Sequence, residues 1–244
     1  MCGIPCSLVA MKLEMDVVFF DAAGTLFKVR GSVGEIYSRV AEHYGVVADP
    51  KRVESAFRAA FHAKDLEGFP PGEQAGLRAE KSWWMDVVRR VFGETMKPED
   101  LRGYFDEIFE AFRSRQVWEL YDDTRLCLER LRTRGCRLAV ISNFDSRLFD
   151  VLANLEIDFF FERVILSWHA GAAKPDPAIF RRALETMHVA APRAVHVGDS
   201  LHDDVAGAMA SGLAALLLDR ERKHLDWDAG SRLESLIELS QILA

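Results

Sequence analysis

Asp21, in the run Asp21-Ala22-Ala23-Gly24-Thr25, closes a short apolar stretch, and three later apolar stretches end in comparable residues. Ser142-Asn143 follows the second, Lys174-Pro175-Asp176-Pro177 lies beyond the third, and Gly198-Asp199-Ser200 follows the fourth, with Asp203 and Asp204 just after it. These residue types carry chemistry. A carboxylate serves as nucleophile, proton carrier or ligand of a hard cation, a lysine neutralises an anion, and a hydroxyl holds an oxyanion. Each also has a plainer use. An Asp after a strand caps a helix or makes a turn, and Ser142-Asn143 suits any strand-to-loop turn. Lys174-Pro175 can lead into a helix at Pro177, and Asp203 with Asp204 suits a helix start, where the dipole favours carboxylates. Four such ends in one chain favour the chemical reading, with Asp204 as the site residue and Asp203 as the helix cap.

The elements that must position these residues are legible as apolar runs at 16–20, 137–142, 163–166, 194–198 and 213–218, which read as buried parallel strands. Helical stretches separate the later ones: 122–134 closed by Gly135, 146–155, 177–188, and 203–211 closed by Gly212. The alternation predicts an α/β fold with a doubly wound, parallel, Rossmann-like sheet, whose ligands gather outside the carboxyl ends of the strands. Between 28 and 115 the alternation stops. Asp49-Pro50 starts a helix with Val53, Phe57, Ala60 and Phe61 on one face; a second runs from Leu77 to Phe92 through Trp83 and Trp84; a third begins at Pro98 and aligns Leu101, Phe105, Ile108, Phe109 and Phe112. The expected organisation is a tail at 1–15, a core from 16–27 and 116–244, and an inserted helical cap at 28–115.

Composition narrows the class further. At 49% hydrophobic and 28% charged residues in a 244-residue chain, a packed globular protein is expected. The cap has 15 basic and 15 acidic residues, so the whole net charge of -7 lies in the remaining core. No basic run follows a phosphate backbone, which argues against nucleic acid, and no targeting or membrane segment is evident. Four cysteines, Cys2, Cys6, Cys127 and Cys136, are too few for a disulfide scaffold and suit a reducing cytoplasm.

Taken in order, the four strand ends and the helical insert after the first strand resemble the haloacid dehalogenase superfamily in its helical-cap branch, whose members are mostly phosphatases. The resemblance covers nearly the whole chain. It implies that Asp21 is the nucleophile and that Thr25 holds the loop and phosphoryl oxygens. It implies further that Ser142 and Asn143 bind substrate, that Lys174 neutralises charge, and that Asp21, the Ala23 carbonyl, Asp199 and Asp204 hold Mg2+. Charge arithmetic agrees: three converging carboxylates need counter-charge, and one lysine with one divalent cation supplies it in full. Magnesium prefers such all-oxygen ligation.

One residue departs from the pattern. The family's phosphatases carry a second Asp two residues after the nucleophile, for proton transfer, and here that position is Ala23. Such transfer is worth about 10²–10⁴-fold, so turnover is expected to be weak, limited to good leaving groups, or served by a substitute such as His62, Lys64, Glu67 or His202. The 2-haloacid dehalogenases, whose Asp displaces halide without metal, also lack that Asp, as do phosphonoacetaldehyde hydrolases, which use a cap lysine; Lys51, Lys64 and Lys81 are available. Gly198-Asp199 favours metal over the dehalogenase reading. A degenerate enzyme that binds a phosphorylated ligand or a protein is the remaining alternative. For the cap, Trp83 and Trp84 are expected near Phe57 and Phe61, with the turn at 68–72 and Arg58 as candidate substrate contacts. The expectation is thus a cytoplasmic, Mg2+-dependent hydrolase of a small phosphorylated substrate, with no nucleic-acid or membrane partner.

Overall fold

The computed structural model describes residues 15–63, 73–227 and 232–243. Within them the chain forms two compact units, one from the segment ending at Lys28 with Leu120–Phe144 and the chain from Glu156 onward, the other from Val29–Glu119 with Asp145–Leu155.

The first unit is an α/β layer structure around a six-stranded sheet of order β5-β4-β1-β6-β7-β8, with every neighbouring pair parallel. Its strands are β1 (Val17–Phe20), β4 (Arg137–Ser142), β5 (Arg163–Leu166), β6 (Ala194–Gly198), β7 (Ala214–Leu218) and β8 (Arg232–Leu233). β1 reads Val-Val-Phe-Phe and is wholly buried, as a strand covered on both faces must be. Phe20 pairs with Val140 of β4 on one side and Val197 of β6 on the other. The chain therefore builds outward from β1 first through β4 and β5, then through β6, β7 and β8. That reversal at β1 opens a crevice at the carboxyl ends of β1, β4 and β6, and three of the four chemical strand ends fall there. Val17 and Phe19 face a core with Ile141, Ile179, Phe180, Met187, Val205 and Leu217.

Helices α5 (Thr124–Thr133), α7 (Ser167–Ala170), α8 (Pro177–Met187), α9 (Gly207–Ala210) and α10 (Leu236–Ile242) cover this sheet in sequence order. α8 starts as its sequence dictates: the Asp176 side chain accepts from the Ala178 amide and Pro177 opens the first turn. Before α9 the expected helix start at Asp203 shifts to Leu201, and residues Leu201–Ala206 wind as a π-helix capped by Ser200, whose hydroxyl accepts from the Asp203 amide. Ser200, not Asp203, is thus the cap. β8 was not legible in the sequence. Cys127 and Cys136 are free thiols.

The second unit is helical, with α1 (Val33–Glu42), α2 (Pro50–His62), α3 (Glu73–Phe92), α4 (Pro98–Ala111) and α6 (Leu148–Asn154). α1 joins the three helices expected here, and it carries a full capping box, with Ser32 and Glu35 exchanging side-chain and main-chain hydrogen bonds. α2 is capped by Asp49 before Pro50 as expected. Aromatic edges fill the interior: Tyr37 packs on Phe57, Tyr104 and Phe112, and the Tyr104 hydroxyl donates to the Tyr37 carbonyl at 3.1 Å. The expected Trp83 and Trp84 grouping with Phe57 and Phe61 is present, with Phe57 stacked on Trp84 at 6.4 Å and Phe61 edge-on to Trp83 at 5.4 Å. β2 (Phe27–Val29) pairs with β3 (Trp118–Leu120) where the chain leaves the first unit and returns to it. No helix among the described residues is long and apolar enough to cross a membrane.

Candidate active site

Asp21 is the first residue beyond β1, and its amide donates to the Val197 carbonyl of β6 at 2.8 Å, so the loop leaves the sheet with its head fixed. The loop then closes on itself. The amides of Thr25 and Leu26 donate to the Ala22 carbonyl at 3.3 and 2.8 Å, and that of Gly24 donates to the Phe27 carbonyl at 2.8 Å. Gly24 makes the turn with φ +95, and a Cβ there would come within 2.4 Å of Asp199 Oδ2. Only glycine lets the loop pass so close to the second carboxylate. Gly198 plays the matching part at the end of β6, where a Cβ would stand 2.1 Å from Asp204 Cγ.

Asp21, Asp199 and Asp204 thereby converge, each offering an oxygen within 4.8 Å of the others. Lys174 lies among them. Its Nζ donates to Asp21 Oδ1 at 2.7 Å and to Asp204 Oδ1 at 2.6 Å, and the lysine is 5% exposed. His196, on β6 and fully buried, brings Nε2 to 2.9 Å from the same Asp204 oxygen, while Asp204 Oδ2 accepts from the Ser200 amide at 3.0 Å. Asn143 holds the lysine from behind. Its side-chain amide donates to the Lys174 carbonyl at 2.9 Å and accepts from the Lys174 amide at 2.8 Å. Ser142, buried at the end of β4, accepts from the Phe144 amide at 3.2 Å.

The charges sort themselves by neighbour. Burial pushes the Asp21 carboxyl up, and the charge of Lys174 opposes that rise without cancelling it. Burial also acts to raise Asp204, but Lys174 and the His196 hydrogen bond outweigh it and hold the carboxyl well below the usual range. Asp199, which keeps an exposed edge, is pushed up to about 7, first by desolvation of its carboxyl and then by the charges of Asp21 and Asp204. Burial acts to lower Lys174, and the carboxylates of Asp204 and Asp21 reverse it, so the ammonium stays charged. Three carboxylates against one ammonium leave an excess of two negative charges. The donor set is all oxygen and one member is open to solvent, which suits a hard divalent cation that keeps some of its waters.

The sequence profile of the haloacid dehalogenase-like hydrolases matches residues 15–212. The chain belongs to this family. It is 38% identical over 212 residues to the mouse (Mus musculus) haloacid dehalogenase-like hydrolase domain-containing protein 3, covering 86% of this chain and 84% of that one. Among solved structures, a haloacid dehalogenase-type phosphatase from Thermococcus onnurineus superposes with a TM-score of 0.69 at 24% identity, over 94% of this chain and 98% of the other. A 2-haloacid dehalogenase from Pseudomonas syringae pv. Tomato superposes with 0.67, also at 24% identity and the same coverage. These two likenesses establish the haloacid dehalogenase fold.

The structure thus brings Asp21, Lys174, Asp199 and Asp204 into one group, with Ser142 and Asn143 on the neighbouring strand end and Thr25 in the loop that follows Asp21. Ala23 is exposed in that loop, bridged to Phe27, and its methyl group transfers no proton. His202 is exposed and pairs with Asp203 at 2.9 Å. Lys64, Glu67 and the turn at 68–72 lie outside the described residues, and His62 ends α2. In the helical unit Arg58 pairs with Glu54 at 2.8 Å, Lys51 is exposed, and Lys81 stands over the Phe109 ring at 5.1 Å. Sequence reasoning missed His196. The signal was there, a lone polar residue in the Ala-Val-His-Val-Gly run of β6, two residues before Gly198.

Proposed function

We propose that this haloacid dehalogenase-like hydrolase is a Mg2+-dependent phosphomonoesterase of a small phosphorylated metabolite, acting in the cytoplasm through an aspartyl-phosphate at Asp21. The observation that carries the reading is the cluster of Asp21, Asp199 and Asp204 with Lys174 bridging two of them. Asp21, Asp199 and Asp204, with the Ala23 carbonyl, would hold the cation, which supplies charge neutralisation for an incoming phosphate. Lys174 adds a second positive group, while Ser142 and Thr25 offer hydroxyls to the phosphoryl oxygens. Asp21 forms the new bond to phosphorus as the ester oxygen departs with the bonding pair. Water then cleaves the acyl phosphate and returns the carboxylate with inorganic phosphate. Because position 23 holds Ala, the departing oxygen receives no proton from the loop, so good leaving groups are favoured. The excess of acidic residues argues against a nucleic-acid partner.

Ala23 also supports a second reading, displacement of halide from carbon, since a halide leaves without a proton. The test is phosphate release from nitrophenyl phosphate and a panel of metabolite phosphates, with Mg2+ or a chelator, for the wild type and Asp21→Asn. Mg2+-dependent release that disappears in Asp21→Asn is the expected result. Absence of release from every ester by a folded wild type overturns it, and halide release from 2-haloacids then selects the second reading.

A further inference from the structure

His196 is a polar side chain on an otherwise apolar face of β6. Its register partners are Phe19 of β1 and Ala215 of β7, and Ala194 precedes it on the same face. All three belong to the apolar core. The ring of Phe180 from α8 meets the imidazole edge-on, with centroids 5.3 Å apart. His196 is wholly buried in this setting. Its Nε2 stands 2.9 Å from Asp204 Oδ1, and among the described residues its other ring nitrogen, Nδ1, has no hydrogen-bond partner.

An imidazole in such a place costs stability, because a polar atom buried without a partner loses the hydrogen bonds it made to water. A leucine would fill the same face with no polar atom to satisfy. What the histidine supplies in exchange is a donor to Asp204. An ionised carboxylate accepts and cannot donate, so the ring nitrogen that faces it carries the hydrogen, and Nδ1 is left as the orphaned acceptor. Lys174 is the other donor to Asp204 Oδ1, at 2.6 Å, but it shares its ammonium with Asp21 at 2.7 Å. His196 serves Asp204 alone. The two donors together engage Oδ1, while Oδ2 accepts from the Ser200 amide at 3.0 Å. Each carboxylate oxygen has two lone pairs, so the spare accepting capacity of Asp204 lies on Oδ2.

We propose that His196 is a positioning residue: its Nε2–H holds Asp204 Oδ1 and so fixes the carboxylate in the orientation in which it joins Asp21 and Asp199 around a divalent cation. The inference rests on the metal-dependent reading above. The role requires a hydrogen at the ε position, not a ring and not a charge. Glutamine carries its amide nitrogen the same number of bonds beyond Cβ as Nε2, whereas the amide of asparagine ends one bond short.

The test is the Kd for Mg2+, read from the Mg2+ dependence of the melting temperature at fixed ionic strength, for the full chain as wild type, His196→Leu and His196→Gln. His196→Leu is expected to weaken Mg2+ binding on the order of 10-fold, the scale on which the hydrogen-bond partners of metal ligands act. His196→Gln, which keeps the donor, is expected to restore most of that loss. A His196→Leu protein that binds Mg2+ as tightly as the wild type overturns the positioning role and leaves the metal site standing. An equal loss in His196→Leu and His196→Gln overturns it too, since the effect then belongs to the packing of the ring. A wild type with no Mg2+-specific shift overturns the metal site and this inference with it. If His196→Leu does not fold, His196→Asn takes its place with the same expectations.

Discussion

The side chain at position 23, two residues after Asp21, is a methyl group that transfers no proton. Ala23 is exposed beside Asp21, so a carboxyl there needs no desolvation and no repacking. Ala23→Asp is expected to raise the hydrolysis rate of an alkyl phosphate by on the order of 10²-fold while changing nitrophenyl phosphate less, because only the poor leaving group needs the proton. An unchanged or lower alkyl-phosphate rate in a folded variant would sink that account. Gly24 sits one residue on, and its requirement is steric rather than chemical. With φ +95 and Asp199 Oδ2 2.4 Å from a would-be Cβ, Gly24→Ala must move either the loop or the second carboxylate. A displacement of about 1 Å costs on the order of 10²-fold in rate, so kcat should fall by that much while the melting temperature changes little, since the neighbour struck is partly exposed. Gly198→Ala differs in kind. There the added carbon meets buried Asp204 at 2.1 Å, and both rate and stability should fall.

At the scale of elements, one carboxylate ties the segment just after β7 to β8. Asp219 Oδ1 accepts from the Lys223 amide at 2.8 Å, Oδ2 accepts from the His224 amide at 2.9 Å, and Arg232 of β8 donates to it at 3.3 Å. Burial acts to raise this carboxyl, but those hydrogen bonds win and hold it below its ordinary value. A carboxylate depressed in the folded state stabilises at pH above its unfolded value of about 3.9, and that stabilisation is lost as pH falls through the folded value. Asp219→Asn should therefore lower the melting temperature at pH 7, and the gap to wild type should close as the pH drops below about 4. A gap that persists unchanged at low pH would assign the effect to packing. These elements also show where sequence reading stops. β1, β4, β5, β6 and β7 were legible because each holds a short apolar run, fully buried in β1 and buried only at Ile165 and Leu166 in β5, that gives way to a polar residue or Gly, and α2, α4 and α8 because Pro opens each first turn. β8 contributes only Arg232 and Leu233 to the sheet, too few for any period. Arg220, which donates to Asp123 and to the Thr25 carbonyl, gave no signal because these partners stand 97 and 195 positions away. Asp21 and Asp199, with Asp204 a few residues on, were legible because parallel strands deliver their ends to one edge whatever the intervening length, whereas Lys174, beyond α7, was legible only through its place in the family's motif order.

Across the whole molecule, charge decides how the protein should answer to magnesium. The chain carries 38 acidic and 31 basic residues, so any salt will screen some repulsion and any divalent cation will appear mildly stabilising. Screening and site binding separate by specificity. A cation held by Asp21, Asp199 and Asp204 binds only the folded chain and stabilises it by about 2.7 kcal/mol at 100 times its Kd, which for a chain of this length is several degrees. Screening instead depends on ionic strength alone. Millimolar Mg2+ should thus raise the melting temperature of the wild type clearly above a sodium chloride control matched in ionic strength. Asp199→Asn should lose that difference, since Asp199 contributes one of the three oxygens that converge within 4.8 Å, and it is the exposed one, whose replacement disturbs packing least. The variant should start from a higher melting temperature without cation, because it removes a carboxylate that desolvation first, and then repulsion from Asp21 and Asp204, push up to about 7. Equal magnesium shifts in wild type and Asp199→Asn would mean that the cation acts through the acidic surface at large, and the carboxylate cluster would then lose its standing as a metal site.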